Sequence, residues 1–254
     1  MPTVRITHVG GPTVLFEVAG RRILTDPTFD PPGRRYNFGL GTASRKVAGP
    51  ALSADAVGPV DVVLLSHDHH ADNLDDAGRA VLPSAGTVVT TTSGARRLGL
   101  PNARGLAPWE STVLSSLGVP DLTITATPCR HGPPLSHPIV GDVVGFALSW
   151  EGAGTLWMTG DTVLYDAVRE VPKRIDVDTM LLHLGSVQFG LTGPVRYSMN
   201  AREGAELIEL AGPRVVVPVH YEGWSHFHEP ESEARSVLGG GQVHWLERGV
   251  STEV

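Results

Sequence analysis

The sequence predicts an α/β protein, and three patterns point to it. Short apolar runs of strand length recur along the chain, stretches with helical spacing lie among them, and Gly and Pro mark the joints. The 254 residues suffice for a sizeable core. With no linker, repeat or low-complexity tract in view, residues 1–254 read as one domain.

The first stretch alternates at period two through Val4 and Ile6, then Val14, Phe16 and Val18, then Ile23 and Leu24. Gly10-Gly11-Pro12 and Ala19-Gly20 punctuate it, which makes it a strand meander. From Pro27 to Pro50 periodicity fades, and Pro31-Pro32-Gly33 and Gly39-Leu40-Gly41 suggest a long functional loop. Val60 to Leu65 reads as a buried strand, and a helix-like stretch runs from about Asn73 to Val81. Further strands are expected at 87–91, 122–127, 143–150, 155–158, 179–182, 215–219 and 242–246. Asn200 followed by Glu203 reads as the capped start of a helix over 201–210. Pro230 suits the first turn of another helix near 229–238.

Composition narrows the function. Hydrophobic residues at 41% and charged residues at 19% exclude a disordered chain. The net charge of −7 argues against a nucleic-acid partner, leaving a small-molecule substrate as the expectation. The single cysteine, Cys129, excludes an internal disulfide and fits a reducing compartment. No apolar run approaches the roughly 18 residues that span a bilayer. The opening Met1-Pro2-Thr3-Val4-Arg5-Ile6 reads into a strand rather than a signal peptide, so the expected location is cytoplasmic. Nothing in the sequence specifies an oligomeric state.

Eleven histidines are unevenly spread, and three fall within four positions in Ser66-His67-Asp68-His69-His70-Ala71-Asp72-Asn73. This segment leaves a buried strand, where imidazoles and a carboxylate can converge on one point, the mixture that zinc and similar ions favour. Three later segments share the anatomy of a strand followed by one ligand-type residue: His131 after 122–127, Asp161 after 155–158, and His220 after 215–219. Each alone is an ordinary turn residue. Four in order are a candidate metal centre.

This order resembles the metallo-β-lactamase fold superfamily, whose pattern is His-x-His-x-Asp-His after a strand, then a His, a Gly-Asp and a last His. The opening Thr7-His8-Val9-Gly10-Gly11-Pro12 and Thr25-Asp26-Pro27 are similar to the branch containing ascorbate-6-phosphate lactonase and N-acyl-phosphatidylethanolamine phospholipase D. The resemblance implies an αββα sandwich: two mixed β-sheets packed together, helices on the outer faces, and metal at one edge. Laid without a gap, the pattern pairs His67 with His69 and puts Ala71 at the carboxylate. With one residue inserted, His67 pairs with His70, Asp72 is the carboxylate, Asn73 stands where the last histidine belongs, and Leu74-Asp75 matches the family's Leu-Asp. Both alignments stay open. The implied ligands are His67, His69 or His70, and His131 at one site, and Asp72, Asp161 and His220 at the other, with Asp161 bridging. Asn73 is a poorer ligand than imidazole and weakens the second site.

The implied cofactor is one or two divalent ions, with zinc the default and manganese, iron or nickel as alternatives. The implied activity is hydrolysis of an ester, lactone, amide or phosphodiester bond, with Asp72 as catalytic proton acceptor. A metal-dependent nuclease and a non-catalytic metal-binding sensor are the alternatives. Asp26, at a strand end, could orient a ligand. His183, Tyr221 and His226 could contact substrate or support the ligands, and His228 could line the pocket beside them. Arg34-Arg35 and Arg45-Lys46 could meet an anionic substrate, or could be a solvated basic loop. Cys129 reads as a small buried thiol.

Overall fold

In the computed structural model the described residues are 4–39, 41–134 and 136–254; residues 1–3, Leu40 and Leu135 lie outside them. The described residues form fifteen strands. The first eight are β1 (Arg5–Gly10), β2 (Thr13–Val18), β3 (Arg21–Thr25), β4 (Arg35–Gly39), β5 (Thr42–Arg45), β6 (Val62–Leu64), β7 (Thr87–Thr91) and β8 (Ala103–Leu106). The rest are β9 (Ser111–Ser116), β10 (Val119–Pro128), β11 (Val144–Ser149), β12 (Thr155–Met158), β13 (Val177–His183), β14 (Val215–Val219) and β15 (Ser251–Glu253).

Two mixed sheets result. One has the order β15-β1-β2-β3-β6-β7-β8, antiparallel through β3 and parallel beyond it. The other has the order β14-β13-β12-β11-β10-β9, parallel from β14 to β12 and antiparallel beyond. The parallel strands β6, β7, β12, β13 and β14 are largely buried, the usual condition for parallel pairing, while β8 at the edge is partly exposed.

The alternation within strands shows the layering. In β14, Val215, Val217 and Val219 join a core that also contains Ile6, Phe16, Ile23 and Leu64 of the other sheet. Val216 points the other way, into a cluster with Leu207 and Ile208 of the helix Ala201–Ala211 and Ala234 of the helix Glu231–Val237. On the opposite flank Leu24, Val63 and Val88 pack outward with Leu82 and Val57. Helix, sheet, sheet, helix is therefore the αββα order that the resemblance implies.

Local chemistry sets the helix ends. Asn200 and Glu203 form the reciprocal capping box at the start of Ala201–Ala211. Asp75 caps the helix Asp76–Val81, which begins three residues later than the sequence suggests because Asn73 and Leu74 belong to the turn. Gly78 is required there: a Cβ would lie 1.8 Å from the Pro27 carbonyl oxygen. Two expectations fail. Residues 242–246 form no strand, only a bridge from Val243 to Val216. The 27–50 stretch is not structureless, for β4 and β5 pair as a hairpin within it.

Candidate metal centre

Seven polar side chains gather at one edge because six strands run towards it. β6 leads to His67 and His70, β10 to His131, β12 to Asp161, β14 to His220, β3 to Asp26, and β13 ends at His183 itself. All of them are buried. Asp26 and His220 carry positive φ, 32° and 59°, a strain in non-glycine residues that marks backbone held by its surroundings. The His220 N–H donates to the Gly11 carbonyl (2.9 Å), and the Asp26 N–H to the Leu64 carbonyl (2.9 Å).

His67, His70 and His131 form the first group. His70 Nδ1 lies 3.0 Å from His67 Nε2 and 3.1 Å from His131 Nε2. The His131 Nδ1–H donates to the Tyr197 carbonyl (2.7 Å), which fixes the tautomer and leaves Nε2 with a lone pair. His70 Nδ1 can share a proton with at most one of its two neighbours, so three bare nitrogens at this spacing repel unless a cation sits among them. Donor atoms around a tetrahedral ion with bonds of 2.0–2.1 Å stand roughly 3.3 Å apart, close to what is seen. Burial, then the charge that neighbouring imidazoles would carry, holds these groups neutral: His70 falls to about 3, His131 to about 4 with burial the main cause, and His67 well below its ordinary value. Neutral imidazole is the metal-binding form.

Asp72, Asp161 and His220 form the second group. His220 donates Nδ1–H to the Leu184 carbonyl (3.2 Å) and aims Nε2 at Asp72 Oδ2 (3.6 Å) and Asp161 Oδ2 (3.7 Å). Asp161 Oδ2 also lies 3.4 Å from His131 Nδ1, so it adjoins a residue of the first group. Burial pulls His220 down, but Asp161 and Asp72 outweigh it and lift it to about 9. Burial pushes Asp161 up to about 7. Both oxygens of Asp161, Oδ1 of Asp72 and Nε2 of His220 are buried without a hydrogen-bond partner. A divalent cation supplies what such a set lacks, a counter-charge for two buried carboxylates and an acceptor for orphaned lone pairs. Both groups therefore fit a metal.

The structure sorts the remaining candidates. His69 is turned away: its ring lies beneath Gly141, and its Nδ1 is near Asp68 (3.8 Å) and Arg97 (3.5 Å). His70 thus joins the three-nitrogen group and His69 does not, as adjacent residues leaving a strand diverge. Asn73 donates its amide to Asp26 Oδ2 (3.1 Å) and Ser66 Oγ (3.2 Å), so it braces the turn. Asp26 also accepts the Ser66 N–H (2.7 Å) and lies 3.7 Å from His183 Nε2. These three form a buried polar layer, with the His183 ring 5.7 Å from that of His220. The His226 Nε2 bonds Asp72 Oδ2 (2.9 Å), and its Nδ1 meets Ser44 Oγ of β5. Tyr221 departs from expectation: it packs edge-on against Trp245, facing the outer helical cluster rather than the metal groups. His228 is exposed rather than lining a pocket.

Lys46 is not a surface greeting for an anion. Its ammonium is buried against Asp75 (2.7 Å), which also accepts N–H groups from Phe29, Asp30 and Gly78. Arg34 is likewise occupied by Asp76 and Asp30. Sequence reasoning missed the aromatic cover that this clamp holds in place. Phe38 lies 5.3 Å from the His70 ring and 5.0 Å from His226, on which Phe189 stacks at 5.1 Å. The signal was the alternation of Tyr36 and Phe38, which point inward from β4.

Against this geometry the comparisons are consistent. The profile of the beta-lactamase superfamily domain matches residues 21–221, and the chain belongs to that family. A UPF0173 metal-dependent hydrolase of Methanopyrus kandleri is 29% identical over 98% of this chain and 100% of its own. Another, from Carboxydothermus hydrogenoformans, is 26% identical over 87% of this chain and 86% of its own. Among solved structures, a possible metal-dependent hydrolase from Veillonella parvula superposes with a TM-score of 0.82 at 20% identity, covering 98% of this chain and 99% of that one. The isothiocyanate hydrolase from Delia radicum gut bacteria gives 0.81 at 21% identity over 98% of both chains. The fold is thus that of the metallo-β-lactamase superfamily, in a family whose named relatives are metal-dependent hydrolases. No helix of the described residues is long and apolar enough to cross a membrane.

Proposed function

We propose that this chain is a metal-dependent hydrolase of a small molecule, cleaving an ester, lactone, amide or phosphodiester bond. The observation that carries the reading is two buried, incompletely partnered donor groups at one sheet edge, with Asp161 of the second beside His131 of the first. His67, His70 and His131 would hold one ion, and Asp72, Asp161 and His220 a second. The three-imidazole set favours zinc. A divalent ion supplies a Lewis acid and brings water deprotonation towards neutral pH.

The chain's own residues do the rest. His226 fixes Asp72 through Oδ2, which leaves Oδ1 to orient a water and accept its proton. The carbonyls of Tyr197 and Leu184 hold His131 and His220 in the tautomer that presents a lone pair. Phe38 and Phe189 keep bulk water from the imidazoles. The reading treats residues 1–254 as one domain, supported by the core cluster that draws on both sheets. Zinc-reconstituted protein assayed on a panel of neutral esters, lactones, amides and phosphodiesters tests it. Turnover that disappears in Asp161→Ala with the fold intact is expected. Full metal occupancy with no turnover on any class would favour a sensor instead.

A further inference from the structure

Between the edges of the two sheets lies a cavity of about 340 Å³, walled by Leu106, Pro108, Val140, Val143 and Val144 and bordered by His131. That volume is within the range of small-molecule pockets. His131 belongs at once to this wall and to the three-nitrogen group, so the cavity adjoins the candidate centre.

Several polar groups at its border are engaged by the protein itself. The Arg130 guanidinium lies 4.4 Å over the Tyr165 ring and its Nε–H donates to the Gly132 carbonyl (3.2 Å). Asp142 pairs with His137 (2.5 Å), and Ser136 donates to the His131 carbonyl (2.7 Å). The Cys129 thiol donates to the Thr159 carbonyl (3.0 Å). A charged ligand group set against the apolar walls of Leu106, Pro108, Val140, Val143 and Val144 would lose its hydration without compensation. An uncharged apolar group does not.

Resting on the hydrolase reading, we infer that this cavity binds the uncharged, apolar part of the substrate, an aryl or short alkyl group, and holds it beside His131. The substrate class is then a neutral molecule carrying such a group next to the bond cleaved.

The test uses zinc-loaded protein and two probes of one shape, neutral 2-phenylethanol and cationic 2-phenylethylammonium, titrated by NMR on the valine methyl signals. Neutral probe binding at least tenfold tighter, with shifts at Val140, Val143 and Val144, is the expected result. The acidic chain would by long-range attraction alone favour the cation, so equal or tighter ammonium binding overturns the inference. So do shifts located elsewhere. Ala107→Trp, on the half-buried rim, should abolish the neutral probe's shifts while leaving zinc content unchanged, and Val143→Phe provides the same test from the opposite wall. Retained binding in both folded variants also overturns it. Because binding is read without turnover, this outcome is independent of whether the hydrolase reading stands.

Discussion

Changing His69 and His70 separately to glutamine discriminates sharply, since the two are neighbours in sequence and opposites in environment. His70 Nδ1 is the nitrogen common to both close contacts of the first group, at 3.0 and 3.1 Å. His69 has its ring centroid 6.4 Å from that of His70, with its Nδ1 3.5 Å from an Arg97 nitrogen. Glutamine keeps bulk and polarity while giving up the imidazole nitrogen. Loss of a supporting partner typically costs 10- to 100-fold in affinity, and loss of a ligand no less. His70→Gln should therefore weaken zinc binding by at least about tenfold, or about 1.4 kcal/mol, with His69→Gln within about twofold of the parent. Competition against a chromophoric chelator measures both. Since metal binds the folded state, metal-dependent thermal stabilisation should fall in parallel. The reverse ranking, or equal losses at both positions, refutes the assignment and with it the role proposed for Asp72.

Further outcomes follow from the same geometry. Asp161→Ala should lower turnover by orders of magnitude with circular dichroism unchanged; turnover within a few-fold of the parent contradicts the bridging role that the resemblance implies. Asp75→Ala strands the buried Lys46 ammonium and three N–H groups, so chemical denaturation should show a loss of at least about 3 kcal/mol, whereas Arg34→Ala, at the surface, should cost under about 0.5 kcal/mol. Metal-free protein should lose stability as pH falls from 6.5 towards 4. His67, His70, His131 and the buried His8 have lowered values in the fold and outweigh Asp161, whose raised value works the other way, so the unfolded chain binds more protons and acid favours it. A melting temperature of the chelated protein that is flat or rises over that interval contradicts the neutral state given to these imidazoles.

The parts legible in the sequence are those where local pattern and tertiary environment agree. β7, β12 and β14 were readable to the residue because each is a short run of β-branched or apolar residues bounded by turns, and the Asn200–Glu203 cap is a purely local device. The hairpin of β4 and β5 was hidden because Gly39 and Gly41 and the prolines before it read as loop, although Tyr36 and Phe38 alternate correctly. Residues 242–246 failed the other way: Val243 and Trp245 are apolar for packing against the helical cluster, and only one bridge forms. Strand-end position identified His67, His131, Asp161 and His220 as residues brought together. It could not decide between His69 and His70, which depends on how the chain turns. It also could not see that Lys46 is buried, since its partner Asp75 is 29 positions away. Tyr221 shows the limit of adjacency: the residue beside a candidate ligand faces the other way.

The central claim is that divalent ions sit within these two donor groups. Anomalous diffraction from crystals of zinc-reconstituted protein, collected on both sides of the zinc absorption edge, tests it most directly. The account predicts a peak among His67 Nε2, His70 Nδ1 and His131 Nε2, with a second, weaker one among Asp72, Asp161 and His220. No peak at either position, or a peak coordinated by His69, contradicts it.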